Sequence, residues 1–139
     1  MGYVSTGPFP AEGADHELPG RQHRRARARY RALASRRVAR FGESLAAAYL
    51  VEHGAKIVGR NVRAGRGEID LLLRMQSRLV AVEVKTRVGS DPRPSYTVDK
   101  ADHVWETVRR LQPRPSRVDL VAIALTADGA TIRWLPGVR

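Results

Sequence analysis

Cysteine is absent from this chain. Disulfides and thiolate zinc centres are therefore excluded, and a reducing compartment is the natural home. No apolar stretch approaches the length of a membrane span, and no charged, apolar and small-residue succession resembles a secretory signal. The expectation is a cytoplasmic protein with no membrane partner. His16, His23, His53 and His103 are scattered, without metal-ligand spacing. No serine–histidine arrangement suggests a covalent nucleophile. Gly65-Arg66-Gly67 lacks the lysine and following helix of a phosphate-cradling loop. Acids are in short supply, at 14 against 25 bases, and lysine is scarcer still. Only Lys56, Lys85 and Lys100 stand beside twenty-two arginines.

The resulting net charge of +11 points to a polyanion, with nucleic acid the leading candidate. At 139 residues there is enough chain for one modest core. Residues 1–40 carry nine arginines and three acids. Met1 to Gly20, with scattered Gly and Pro and little hydrophobic periodicity, reads as a disordered tail. The arginine run from Arg21 to Arg31 has three readings of equal weight: a flexible arm on phosphates, a helical extension facing water, or a basic run without a specific partner. The expected organisation is a disordered basic extension over 1–34 and a folded domain over 35–139.

The informative segment is Gly67 to Arg87, GEIDLLLRMQSRLVAVEVKTR. Two branched, apolar runs flank a polar stretch, Arg74 to Arg78, of hairpin length. A turn centred between Gln76 and Ser77 sets Asp70 opposite Glu83 and Glu68 opposite Lys85. All four polar groups then share one face, with Ile69, Leu71, Val82 and Val84 on the other. A two-residue slip preserves this grouping and a one-residue slip destroys it.

Two carboxylates about 5 Å apart repel by roughly 3 kcal/mol at an effective dielectric near 20. Lys85 offsets part of that. A hard divalent cation such as Mg²⁺ or Mn²⁺ offsets more, because it takes oxygen ligands and commonly uses one or two carboxylates with water and substrate phosphate. The plain alternative is a pair of strand-edge acids neutralised by arginines.

Ile69-Asp70, twelve intervening residues and Glu83-Val84-Lys85 resemble the PD-(D/E)xK signature of restriction-endonuclease-like nucleases, with Ile69 in place of the proline. The segments GESLAAAYL, RNVRAGRGEIDLLL, VAVEVKTR and RVDLVAI, in that order, resemble the YraN-like family of bacterial proteins, itself similar to archaeal Holliday junction resolvases. The resemblance runs from about Val38 to the C-terminus. It implies that Glu43, on the first helix, completes a metal site with Asp70, Glu83 and the Val84 carbonyl. A helix glutamate taken alone is usually just solvated. It also implies that Lys100 contacts phosphate, where the plain reading is an exposed side chain. Junction-cutting relatives work as dimers, and nothing in the sequence marks such an interface.

The remaining elements read independently. Ser35 caps a helix to about His53, stopped by Gly54, with Val38, Phe41, Leu45, Ala48 and Tyr49 on its apolar stripe. Lys56 to Val62 is a strand. Arg60 to Arg63, with Gly65 and Gly67, is a basic connection, and Gly67 suggests a bulge or a close backbone approach. A polar loop, Thr86 to Thr97, precedes a helix over Asp99 to Leu111 with Ala101, Val104, Trp105, Val108 and Leu111 on one face. Trp105 reads as core. Arg117 to Ile123 is a buried strand in which Asp119 partners a nearby arginine, and Ala130 to Leu135 closes the sheet. The predicted fold is an α/β restriction-endonuclease-like sandwich, a mixed sheet flanked by helices in the order α-β-β-β-α-β-β.

The chemistry these residues support is metal-assisted phosphodiester hydrolysis, with Asp70, Glu83, Lys85 and Glu43 as catalytic candidates. Lys85 is suited to orienting or deprotonating water, since an ammonium shifts its pKa more readily than a guanidinium. Arg60, Arg63, Arg66, Arg87 and Lys100 are the nucleic-acid-binding candidates. Three classes compete: a DNA endonuclease, on branched or junction structures by resemblance; a nucleic-acid-binding module with little turnover; and a basic scaffold for a protein complex.

Overall fold

In the computed structural model, residues 20–138 are described, those before Arg24 by backbone only. The tail expected over Met1 to Gly20 thus lies almost wholly outside the described residues. The chain divides into two units, 1–33 and 34–139. In the first, residues 24–33 are helical and exposed throughout.

The helix therefore starts well before Ser35, which corrects the expected cap, and over 24–33 it agrees with the helical-extension reading of the arginine run. Helix α1 runs over Gly20–Glu52, with Ser35 in its interior. Ala and Arg dominate 24–40, and neither Gly nor Pro interrupts them. Strong helix formers in succession outweigh a single capping serine. The stop at Gly54 is as expected: it takes φ +94°, and Ala55 N–H donates to the Leu50 carbonyl at 2.9 Å.

In the second unit, five strands form one sheet in the order β1-β2-β3-β4-β5: Lys56–Ala64, Gly67–Met75, Arg78–Val88, Arg117–Thr126 and Gly129–Leu135. Only β3 and β4 run parallel, linked through a short 3₁₀ turn (Arg93–Ser95) and helix α2 (Val98–Arg109). The fold is α/β and restriction-endonuclease-like, in the expected element order. Among the described residues no helix is long and apolar enough to cross a membrane.

Two buried clusters fill the faces of the sheet. Ala46, Ala47 and Leu50 of α1 pack on Leu71, Leu73, Val80, Val82, Val84, Val121 and Ile123. Val104 and Val108 of α2 pack on Ile69, Ala81 and Val118, with Trp105 at the margin. The apolar stripe of α1 is therefore rotated from the expected one, and Phe41 and Ala48 are exposed. Gly42 explains the rotation. A Cβ there would collide with the Thr86 hydroxyl, so the bare glycine lets α1 seat directly on β3 along Gly42, Ala46 and Leu50. Gly67 does the same for α2, where a Cβ would meet the Thr107 hydroxyl. The close approach expected at Gly67 is present.

Asp119 is fully buried and acts as the partner of an arginine, as its position suggested. It accepts from Arg117 Nε at 2.8 Å and Nη2 at 3.0 Å, Trp134 Nε1 at 2.9 Å and Gly137 N–H at 2.9 Å. One carboxylate ties β4, β5 and the C-terminal segment together.

Candidate functional site

The β2–β3 hairpin turns at Gln76 and Ser77, both with positive φ, and its register runs from Met75↔Arg78 to Leu71↔Val82. The next pair in that register is Asp70 and Glu83. There the ladder gives way, and Asp70 Oδ2 accepts the Val84 N–H at 2.8 Å. A side-chain carboxylate has taken the role of a strand carbonyl. On the other side of β2, Asn61 holds φ +50° between the pairs Arg60↔Leu71 and Val62↔Ile69, opposite Asp70. A left-handed residue in a strand disturbs the pleat. Accordingly, Ile69 packs with the α2 cluster, whereas Leu71 packs with the α1 cluster. Ile69 thus departs from the shared face expected for it with Leu71, Val82 and Val84, because the alternation breaks at Asp70.

Glu83 and Lys85 are two apart on β3 and form an ion pair, Nζ to Oε1 at 3.1 Å. Both side chains are mostly buried, at 14% and 25% exposed. Burial pushes the Asp70 carboxyl up to about 8, helped by the negative charge of Glu83 and, more weakly, of Glu43. The Val84 N–H pulls the other way, and a hydrogen bond with Glu83 favours the protonated form. The Asp70 carboxyl therefore holds its proton into the neutral range, beside the negative charge of Glu83. Glu43, carried beside the Gly42–Thr86 contact, is also raised, first by burial and then by Glu68 and Glu83, with Arg40 opposing. The four expected catalytic residues are brought into one electrostatic neighbourhood.

Glu68 lines the same cleft as Lys85 but pairs with Arg63 instead. It faces Arg63 across the β1–β2 pair at 3.6 Å, in an exposed contact of little energetic weight. Arg60 and Arg63 lie within β1, not in a connection as expected; β1 extends to Ala64, and only Gly65 and Arg66 make the turn. Arg87 is exposed at the end of β3. Arg66 and Lys100 line a cleft of about 440 Å³ with Glu68, Glu83 and Lys85. Arg60, Arg63 and Arg87 do not line it.

Helix α2 supplies the opposite wall of that cleft, and sequence reasoning missed most of it. His103, Thr107 and Arg110 line it with Lys100. Their signal was available as a polar stripe at three- and four-residue spacing beside the apolar one. Tyr96, in the segment before α2, was also missed. Its hydroxyl is buried without a partner, and burial, then the charge of Glu83, push its pKa up.

The candidate ligands near Asp70 are all oxygens, the donor type that Mg²⁺ and Mn²⁺ take. Asp70, Glu83, Glu43 and the Val84 carbonyl are the groups available to hold such an ion. Among the described residues, no three His, Cys, Asp or Glu side chains already stand in a metal-holding group. Glu83 would exchange Lys85 for the cation or share itself between them.

A family profile described as "Uncharacterised protein family UPF0102" matches residues 42–123, from the glycine before Glu43 to the middle of β4. A UPF0102 protein of Syntrophotalea carbinolica is 36% identical over 107 residues, covering 70% of this chain and 87% of that one. One from Solibacter usitatus is 38% identical over 109 residues, 70% and 82% of the two chains. A third, from Streptomyces coelicolor, is 38% identical over 104 residues, 67% and 80%.

Proposed function

The chain belongs to the UPF0102 family, the YraN-like group its motifs resemble, and from that premise and its acid–lysine cluster we propose a divalent-metal-dependent endonuclease that hydrolyses nucleic-acid phosphodiesters. One observation carries the reading: Asp70 leaves the strand ladder to accept the Val84 N–H beside Glu83 and Lys85. Crowding two carboxylates at this point costs the sheet stability, whereas a cation-binding site needs them. DNA is the favoured substrate, with branched or junction structures suggested by resemblance alone.

Asp70, Glu83, the Val84 carbonyl and Glu43 would hold Mg²⁺ or Mn²⁺. Bound there, the ion would supply a water of lowered pKa and charge neutralisation at the scissile phosphate. Lys85 would orient that water, take its proton when its own ammonium is deprotonated, and counter the charge that develops on the phosphoryl oxygens. Val84 N–H fixes the Asp70 carboxylate, so the site is positioned by backbone and not by a mobile rotamer. Lys85 and Glu83 hold each other until substrate and ion divide them.

A second reading, a nucleic-acid-binding module with little turnover, is favoured by the engagement of Glu83 with Lys85 at 3.1 Å. Incubating labelled linear, flapped and four-way DNA with Mn²⁺, for wild type and Lys85→Ala, separates the two. Cutting that disappears in Lys85→Ala supports the nuclease. Binding without cutting of any substrate removes the enzyme reading and leaves the module.

A further inference from the structure

The face of α2 that looks onto β2 and β3 carries more than apolar contacts. Lys100, His103, Thr107 and Arg110 recur at one-turn spacing, and all four line the cleft. Thr107 is buried against Gly67, its hydroxyl donating to the His103 carbonyl at 3.1 Å. The other three are exposed. Arg110 lies along the β1–β2 turn, where Gly65, at φ +60° and without a Cβ, leaves room for its guanidinium. Arg66 lines the cleft from the same turn. Among the described residues, Arg66, Lys100 and Arg110 have no acid within ion-pair distance. Glu106 is the one acid that α2 sets into the lining.

We propose that the Lys100–His103–Arg110 stripe of α2, together with Arg66, is a second binding wall that tracks the nucleic-acid backbone flanking the scissile phosphate. Three cations without acid partners along one wall, facing the acids where the scissile phosphate would sit, form an anion track rather than a solvated face. From Lys100 to Arg110, which caps α2 at its C-terminus, the rise is about 15 Å, on the order of four nucleotide steps of one strand. The contacts are to phosphate, so the wall fixes register without reading sequence. Its construction is specific: bare glycines at 65 and 67 are what allow α2 to lie this close to the turn. This inference rests on the nucleic-acid reading above and adds the residues that hold the substrate.

Binding of a short fluorescein-labelled duplex to the full chain in EDTA, across a salt series, tests it without turnover. Arg66→Gln, Lys100→Gln and Arg110→Gln are each expected to lower the slope of log K against log salt by about 0.9, and Arg66→Gln with Arg110→Gln by about twice that. Arg78→Gln, an equal charge loss at the exposed hairpin turn away from the cleft, is expected to leave the slope unchanged. Thermal melts matching wild type show that each variant is folded, and the three independent positions keep the comparison alive if one is not. Slopes that fall equally in Arg78→Gln, or in no cleft variant, overturn the wall, as does a wild type that fails to bind. A chain that cuts DNA with unchanged slopes sinks this inference alone. Reduced slopes in a chain that never cuts sink the nuclease reading and leave the wall standing.

Discussion

Asp70 accepts the Val84 N–H at 2.8 Å at the point where its own strand stops pairing with β3. The bond anchors a carboxylate that burial and Glu83 would otherwise drive away, and it makes Asp70 both a structural group and a candidate ligand. Most of what the site should do in solution follows from that double role.

The pH dependence of stability is the first consequence. The Asp70 carboxyl is raised from 3.8 to about 8 in the folded chain, so the folded state retains a proton that the unfolded state has lost. Stability referred to acidic solution therefore falls as pH climbs from about 4 through about 8. Asp70→Asn keeps an acceptor for Val84 and removes this dependence. Metal-free melting temperatures are expected to converge for the two proteins at pH 4 and to separate in favour of the variant by pH 8. Parallel curves would sink the assignment.

Divalent ions should act in the opposite sense. A Mn²⁺ ion held by Asp70 would displace its proton, so the stabilising effect of Mn²⁺ on wild type is expected to grow between pH 6 and pH 8, with proton uptake by buffer measurable by calorimetry in two buffers. In Asp70→Asn the Mn²⁺ shift in melting temperature is expected to vanish.

Lys85 and Glu83 should separate chemistry from ion binding. Lys85→Ala removes the cation nearest the acids, which raises their attraction for another. We expect Mn²⁺ affinity by calorimetry at least equal to wild type, with DNA cleavage lost. A variant that loses both would assign Lys85 to holding the site together.

Gly42 should behave as a spacing residue. Gly42→Ala drives a methyl into the Thr86 side chain and lifts α1 from β3, at a cost of about 1–3 kcal/mol for overpacking. Mn²⁺ affinity should fall as Glu43 moves out. Adding Thr86→Ala removes the colliding hydroxyl, and part of both losses should return, a coupling that a double-mutant cycle measures.

Asp119 offers a contrast: it pairs with Val82, next to Glu83, but points to the other face of the sheet. Asp119→Ala strands Arg117, the Trp134 indole N–H and the Gly137 N–H in or near the interior. A loss of about 3 kcal/mol is expected in denaturant unfolding. Mn²⁺ affinity of the remaining folded protein should be unaltered.

The hairpin was readable from sequence because strand parity is a two-residue code, and hydrophobic alternation fixes it wherever one side is buried. Asp70, Glu83 and Lys85 followed from that code. Its failure at Ile69 has a local cause: the left-handed Asn61 lies on a neighbouring strand, and no pattern within β2 announces it. The phase of α1 is only half legible in its large apolar residues, of which Leu45 and Tyr49 pack on the core. Here the closest packing belongs to Gly42 and Ala46, and Phe41 stays outside. The start of α1 is not marked by Ser35, because a long Ala/Arg stretch outweighs one capping serine. His103 and Arg110 leave no mark in the apolar periodicity of α2, since they lie on its polar stripe.

Strand β1 borders the sheet on one side, and it is poorly suited to recruit another strand. Its register shifts between Ile57 and Gly59, Asn61 turns left-handed, and Lys56, Arg60 and Arg63 space positive charge along it. A border so broken and so charged presents no continuous row of amide and carbonyl groups for edge-to-edge growth. Concentrated preparations should accordingly resist fibrillar self-association through this side of the molecule, leaving the neighbourhood of Asp70 open to solvent-borne ligands.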